Sequence, residues 1–200
     1  STSNNSSKRN SRRKGESSLL VLLSGVSGAG KDTVKQELIK RNKNVESLPS
    51  YTDRAPRNND IPGVTYNFVT TQEFERMIEQ GELYEYSKHH EHYYGTSKKL
   101  LNEKINNGTI IVKDIEVNGV ENLLKILKND LEIVTIFLKV PKEELRKRLE
   151  AREDKQSPDE IELRLNRLEY EESKIGMYDY VIKNDDLDRT LRIIEEIIKH

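Results

Sequence analysis

The sequence predicts an α/β fold with a parallel sheet, and three observations carry that expectation. Residues 19–23 form a continuous apolar run, the pattern of a strand buried on both faces. The run leads through a glycine-rich loop, "GVSGAGKDT", into a segment of helical character. From residue 97 onward, apolar strand-like runs alternate with amphipathic helical ones, an order that favours parallel pairing through helical crossovers.

Taken in order, a strand at 19–24 is followed by a helix from about Asp32 to Arg41. Residues 45–50 make a second expected strand. "YTDRAPRNNDIPG" after it holds prolines, asparagines and a glycine, which predicts a loop. Residues 64–69 alternate Tyr66 and Phe68 with Thr65 and Asn67, as a half-buried strand does. Thr70 with Glu73 three places on forms a capping box that opens a helix to about Gln80. Short strands are expected at 83–87 and 91–94, then a helix from Ser97 to about Asn106 that Gly108 stops. "TIIVKD" reads as a strand, 117–128 as a helix and "EIVTIFLKV" as a strand. Pro141 starts a helix through Arg152, and the polar break "EDKQSPD" separates it from a helix over about 159–175. A strand at 180–183 and an amphipathic helix from Leu187 complete the chain, and no internal repeat is present. The sum is an α/β core interrupted by a strand-rich insert over residues 50–96.

Composition narrows the function classes. Two hundred residues suit one domain and are ample to bury a core. The longest apolar run, residues 19–23, falls far short of the roughly 20 residues that cross a bilayer, so no membrane partner is expected. The absence of cysteine excludes disulfides and thiolate metal sites and accords with a cytoplasmic setting. Residues 1–18 carry Lys8, Arg9, Arg12, Arg13 and Lys14 against Glu16, with no apolar residue, and are expected to be disordered. Such a tail is a basic arm for an anionic surface or, the preferred reading, a passive extension. It has neither the apolar stretch of a secretory signal nor the apolar face of a transit helix, and no specific nucleic-acid partner is expected.

The glycine-rich loop approximates G-x-x-x-x-G-K-[ST], the phosphate loop of an NTPase core. Gly25, Gly28 and Gly30 let successive N–H groups turn toward phosphate oxygens, Val26, Ser27 and Ala29 complete the cradle, and the helix N-terminus adds its dipole. Lys31 is placed to reach the terminal phosphates. The hydroxyl that usually follows the lysine and helps hold Mg²⁺ is replaced by Asp32, with Thr33 one place later as the nearest hydroxyl. Alone, the loop indicates a nucleotide and nothing finer.

The insert is more specific. It contains Ser50, Arg54, Arg57, Tyr66, Glu85, Tyr94 and Thr96 within the words "SYTDRAPR", "GVTYNFV", "GELYEYS" and "YYGTS". With "KDIEVNGV", "PKEELRKRLEAR" and "YDYVIKNDDL" in the same order, these words resemble guanylate kinases over nearly all of residues 19–200. The resemblance implies a phosphate-loop core, an inserted GMP-binding domain and a helical lid at about 150–165. It implies ATP and GMP as substrates, dGMP as a further acceptor, Mg²⁺ as cofactor, and ADP and GDP as products of purine nucleotide metabolism.

The residue types agree with that chemistry. A dianionic phosphate is well gripped by guanidinium forks and phenols, which Arg54, Arg57, Tyr66 and Tyr94 supply. Guanine shows two donors on one edge, N1–H and N2–H₂, and an ionised Glu85 can accept both, whereas adenine would leave it unpaired. By resemblance Ser50, Thr96 and Glu116 also serve the base, although Ser50 and Thr96 read equally well as ordinary turn hydroxyls and family members usually have Asp where Glu116 stands. Asp114 ends a buried strand, where α/β sheets deliver carboxylates to their ligands. The resemblance places it near the metal and the transferred phosphate, with Asp32 as a second candidate metal ligand, directly or through water, against a plain role at the helix N-terminus. Arg152 and Arg164 flank the lid break and would stabilise the moving phosphoryl group, although both also read as solvated helix faces. The lid is one residue longer than the usual pattern, and Asn184 matches an asparagine near adenine. His90 and His92 would share a strand face, but the sequence offers no further ligand for a metal there. A ribose 1,5-bisphosphate kinase of the same superfamily and a non-catalytic binding module are the alternatives. Glu85 with "YYGT" argues against the first, and Lys31, Arg152 and Arg164 argue against the second.

Overall fold

The apolar run at 19–24 needs cover on both faces, and two helical layers supply it. The computed structural model describes residues 18–26, 28–106, 108–152 and 156–199, so the expectations for the basic tail, for Ser27 and for the middle of the lid break lie outside the described residues. The chain runs β1 (Leu19–Ser24), α1 (Lys31–Arg41), β2 (Val45–Ser47), β3 (Tyr51–Thr52), β4 (Asn67–Phe68), α2 (Thr71–Glu79), β5 (Leu83–His89), β6 (His92–Ser97), α3 (Lys98–Asn106), β7 (Ile110–Asp114), α4 (Val117–Leu127), β8 (Ile133–Lys139), α5 (Lys142–Glu150), α6 (Pro158–Ser173), β9 (Tyr180–Lys183) and α7 (Leu187–Lys199). A parallel sheet has the order β2-β7-β1-β8-β9, with β1 at its centre.

The alternate residues of β1 enter different cores. Leu19, Val21 and Leu23 pack with Val34 and Leu38 of α1, Leu145 and Leu149 of α5, Leu165 of α6 and Ile194 of α7. Leu20 and Leu22 face the other way, onto Leu101 of α3 and Val117, Val120 and Leu123 of α4. With both faces covered, the strand has no polar side, which is why its sequence shows no alternation.

A second, smaller sheet has the order β4-β3-β6-β5. Its strands β5 and β6 are antiparallel, joined by His90 and Glu91, both in the left-handed region (φ 48° and 69°). Phe74, fully buried, forms a separate core with Met77 and Leu83 and stacks on Tyr93 with ring centroids 4.9 Å apart.

Several boundaries differ from expectation for local reasons. The strand expected over 45–50 stops at Ser47, ahead of Pro49, which has no N–H for a ladder. The segment expected to be all loop begins with β3, which pairs Tyr51 with Gly95 and Asn67 across a long sequence distance. Only Asn67–Phe68 of the strand expected at 64–69 is in the ladder, because Val64 and Thr65 donate to Ile61 O in a closed turn. The Thr70 hydroxyl accepts from Glu73 N as the capping pattern requires, and Ser157 with Glu160 forms a full reciprocal capping box at the start of α6.

Phe74→Ala should destabilise the protein by about 3–5 kcal/mol, since it empties the centre of the small core. Ser157→Ala should cost about 1 kcal/mol. Urea unfolding followed by circular dichroism measures both, and a Phe74→Ala cost no larger than that of Ser157→Ala would contradict the packing described.

Candidate active site

The glycine-rich loop is fixed from below by its own apolar residues. Val26 and Ala29 are buried in the core, Ala29 N donates to Val26 O at 3.0 Å, and Gly30 caps the N-terminus of α1. Gly30 has φ 90°, and a Cβ there would come within 2.6 Å of Asn184 Nδ2, so glycine is required on two counts. Asn184 Nδ2 donates to Ala29 O at 2.6 Å, and its Oδ1 accepts from Thr190 at 2.9 Å, which makes Asn184 a brace of the loop. Arg148 of α5 joins it, donating to Gly28 O, Ala29 O and Asn184 O at 3.3, 3.4 and 2.9 Å. The sequence did not single out Arg148.

Beside the loop, β7 ends at Asp114, whose register partner on β1 is Leu23. Lys35, on the second turn of α1, donates to Asp114 Oδ1 at 2.6 Å. Burial alone would push the Asp114 carboxyl up, but Lys35, Lys31 and Lys113 together hold it down at about 2. Asp32 is exposed in the first turn of α1. Burial pushes the Tyr66 phenol, just before β4, up to about 12, and the negative charges of Asp114 and Asp32 add to the rise. Mg²⁺ takes few protein oxygens and fills its octahedron with phosphate and water. Asp114, whose Oδ1 accepts from Lys35, and the exposed Asp32 are carboxylates of the kind that demand allows.

Across the cleft, Arg54 is buried and its Nη1 donates to Asp60 Oδ2 at 3.0 Å. The same Asp60 oxygen accepts from Arg57 N at 2.8 Å, while the Arg57 side chain is exposed. Tyr66 lies 5.1 Å below the Arg54 guanidinium, and its ring is 5.6 Å from that of Tyr94. Asp60 thus holds the arginine cluster, and nothing in its local sequence distinguishes it from a turn aspartate.

The residues expected to serve the base are each held by a neighbouring side chain. Glu85 is buried and accepts from Thr96 Oγ1 at 2.7 Å. Burial pushes its carboxyl up, and the Thr96 hydroxyl and the Lys113 ammonium pull it back. Gly119 of α4 adjoins it: a Cβ there would sit 3.6 Å from Glu85 Oε2 and 2.5 Å from Ile115. Ser50 is half-buried and accepts from Lys113 Nζ at 2.7 Å. Glu116 is already engaged: Oε1 is 2.8 Å from His89 Nε2 and Oε2 accepts from Arg167 of α6 at 3.0 Å. His89 is held above the ordinary imidazole range, first by its bond to Glu116, against the opposing effect of burial. Arg152 follows α5 and is exposed, and Arg164 lies half-buried on α6. Among the described residues, no group of three or more His, Asp or Glu side chains forms a metal centre, and no helix is long and apolar enough to cross a membrane.

A parallel sheet with this loop at the end of its central strand defines a phosphate-loop nucleotide-binding protein. The family is sharper than the class. A model of the family described as guanylate kinase matches residues 17–200, and the chain belongs to that family. It is 38% identical over 181 residues to the guanylate kinase of Caldanaerobacter subterraneus subsp. tengcongensis, covering 90% of this chain and 86% of that one. A guanylate kinase of Wolbachia sp. subsp. Brugia malayi is 36% identical over 181 residues, or 90% and 91% of the two chains. Among solved structures, guanylate kinase from Anaplasma phagocytophilum superposes with a TM-score of 0.74 at 28% identity, covering 92% of this chain and 86% of that one.

The depressed Asp114 carboxyl gives a signed prediction. Its stabilising contribution is complete above its ordinary value of 3.8 and disappears as pH falls toward about 2. Lys35→Met should therefore lower stability at neutral pH, and its difference from wild type should shrink between about pH 4 and about pH 2. Urea midpoints across that range measure it, and a difference independent of pH would assign the loss to packing.

Proposed function

We propose that this chain is an enzyme that transfers the terminal phosphate of ATP to GMP, giving ADP and GDP, and that dGMP serves as an alternative acceptor. One observation supports the choice of base most directly: Glu85, buried and steadied by Thr96. A carboxylate fixed there accepts from guanine N1–H and N2–H₂ together, and adenine offers it no such pair. We assign residues 19–49 and 97–200 to the core, 50–96 to the GMP-binding insert and about 150–165 to the lid. We place the reaction in the cytoplasm, where both nucleotides are at hand.

The phosphate of GMP, with a second pKa of about 6, is a dianion at neutral pH and needs no general base. Its oxygen attacks the γ-phosphorus of ATP, the bond from that phosphorus to the β,γ-bridging oxygen breaks, and ADP departs with the electron pair. In this reading Arg54, Arg57, Tyr66 and Tyr94 hold the acceptor phosphate, with Asp60 presenting the Arg54 guanidinium at 3.0 Å. Ser50, Thr96, Glu85 and Glu116 serve the base. Glu116 must release His89 or Arg167 to do so. The N–H groups of residues 25–33 and Lys31 carry the donor phosphates, with Asn184 beneath them, and Arg152 and Arg164 close over the group in flight. Mg²⁺, held by Asp114 and Asp32 directly or through water, would offset charge on the phosphate oxygens. Closure of the insert and lid excludes water that would otherwise consume ATP.

A coupled ADP-release assay with GMP, dGMP, AMP and ribose 1,5-bisphosphate tests the reaction. Turnover with GMP and dGMP is expected, and folded protein inactive on GMP with Mg²⁺ and ATP would overturn the reading. Glu85→Gln should lower kcat/KM for GMP about 100-fold and leave the KM for ATP within about twofold. An equal loss toward both nucleotides would make Glu85 structural. Because burial raises the Glu85 carboxyl above 4.5, GMP use should decline on the acid side sooner than an ordinary glutamate would dictate. Asp32→Ser should shift the Mg²⁺ dependence of the rate, and an unchanged dependence would leave Asp32 only its place at the helix N-terminus.

A further inference from the structure

Arg167 joins two parts of the molecule that the proposed reaction moves. Its Nη2 donates to Glu116 Oε2 at 3.0 Å, at the N-cap of α4, and its Nε donates to Glu171 Oε1 at 3.2 Å, one turn further along α6. Glu116 Oε1 in turn stands 2.8 Å from His89 Nε2 of β5. A chain of charged groups thus runs from the small sheet, through the start of α4, to the helix that carries Arg164. Its inner end is Glu171, 5% exposed, whose Oε2 has no hydrogen-bond partner among the described residues. Burial pushes the Glu171 carboxyl up, and Arg167 and Lys31 pull it back. A buried carboxylate oxygen without a donor is costly, so Oε2 calls for one that arrives at another stage of the cycle.

We propose that Arg167 is a positioning residue that passes occupancy of the GMP site to the lid helix by moving its free prong from Glu116 to Glu171. This rests on the GMP reading of the cleft, in which Glu116 serves the base. Both Glu116 oxygens are engaged, so one partner yields when the base arrives. Arg167 is the partner with a second carboxylate already in hand. Its Nε and Nη2 lie on one edge of a planar guanidinium, and Nε is already on Glu171 Oε1. A swing of Nη2 to Glu171 Oε2 then makes a two-pronged pair and leaves neither charge single. In the first arrangement Arg167 ties α6 to α4. In the second it bonds only within its own helix, while Tyr170, on Asn118 at 2.7 Å, and Lys174, on Glu121 at 3.0 Å, keep the far end of α6 fixed to α4 as a pivot. The end that carries Arg164 is then released to bring the lid over the phosphates. GMP and ATP both favour the second arrangement, so each strengthens binding of the other.

Isothermal titration calorimetry tests this with GMP and a non-hydrolysable ATP analogue with Mg²⁺, each alone and each with the other saturating. In the wild type each ligand should lower the Kd of the other about 5- to 20-fold. No binding of GMP would remove the GMP reading itself, whereas GMP binding that leaves the Kd of the analogue unchanged would overturn the proposal alone. Arg167→Met removes the tie to Glu116, so each ligand should bind more tightly when alone and the coupling should fall toward one. Glu171→Gln removes the charge that receives Arg167, so each ligand should bind more weakly when alone. A merely structural role for these residues does not give opposite signs: shifts in the same direction, or coupling in Arg167→Met equal to that of wild type, would overturn the proposal. If one variant does not fold by thermal melt, the sign of the other decides.

Discussion

The pairing of β1 with β7 is the constraint on which the site depends. Leu23 and Asp114 are register partners, so the phosphate loop leaves one strand at the level where its neighbour delivers a carboxylate. Two further bonds hold the junction: Ile115 N donates to Leu23 O at 3.1 Å, and the Ser24 hydroxyl donates to Ile115 O at 2.6 Å. From there the chain enters α4, which brings Glu116 to the second sheet and Gly119 to Glu85. The site is therefore built outward from one strand pair, and the small sheet is located against it by side chains rather than by shared ladders.

Several charges around the cleft are paired within the chain itself. Asp114 has Lys35, Asp60 has Arg54, Glu116 has His89 and Arg167, and Glu85 has Thr96 and Lys113 nearby. Buried charges left single would be severely destabilising, so a cleft that must handle polyanions stays folded by carrying its own counter-charges. Under the proposed reaction, ligand binding is an exchange of partners. Tyr66 belongs to both sides, resting beneath Arg54 while responding to Asp114 and Asp32 of the core.

The core was legible in the sequence because its strands and helices are long enough to show a period, and the loop because its glycines and lysine are constrained by phosphate geometry. The small sheet was less so. Strands of two residues, β3 and β4, have no period to read, and β3 finds its partner some forty residues away at Gly95. The residues expected to meet ligands could be named because they fall within words that resemble a family pattern. Their supports could not, since Lys35 within "KDTVKQELIKR" reads as an ordinary helical lysine and His89 as part of an exposed hairpin. Lys113 did leave a signal, a lone cation closing an otherwise apolar run, but its acceptors, Leu48 O and Ser50 Oγ, lie more than sixty residues away in the chain.

That lysine also bears on how the chain folds. Ile111 and Lys113 share the α4 side of the sheet, while Val112 points into the opposite core. Were β7 to enter the sheet one residue out of step, every side chain would change face, and the lysine would be turned toward the aliphatic core of Val21, Leu23 and Val34, away from Leu48 O and Ser50 Oγ. An apolar residue at 113 would tolerate the slipped pairing far better, since both cores are lined with similar aliphatic groups. The charge acts as a key for strand alignment: it penalises the misregistered sheet, and so guards the placement of Asp114 one residue further on.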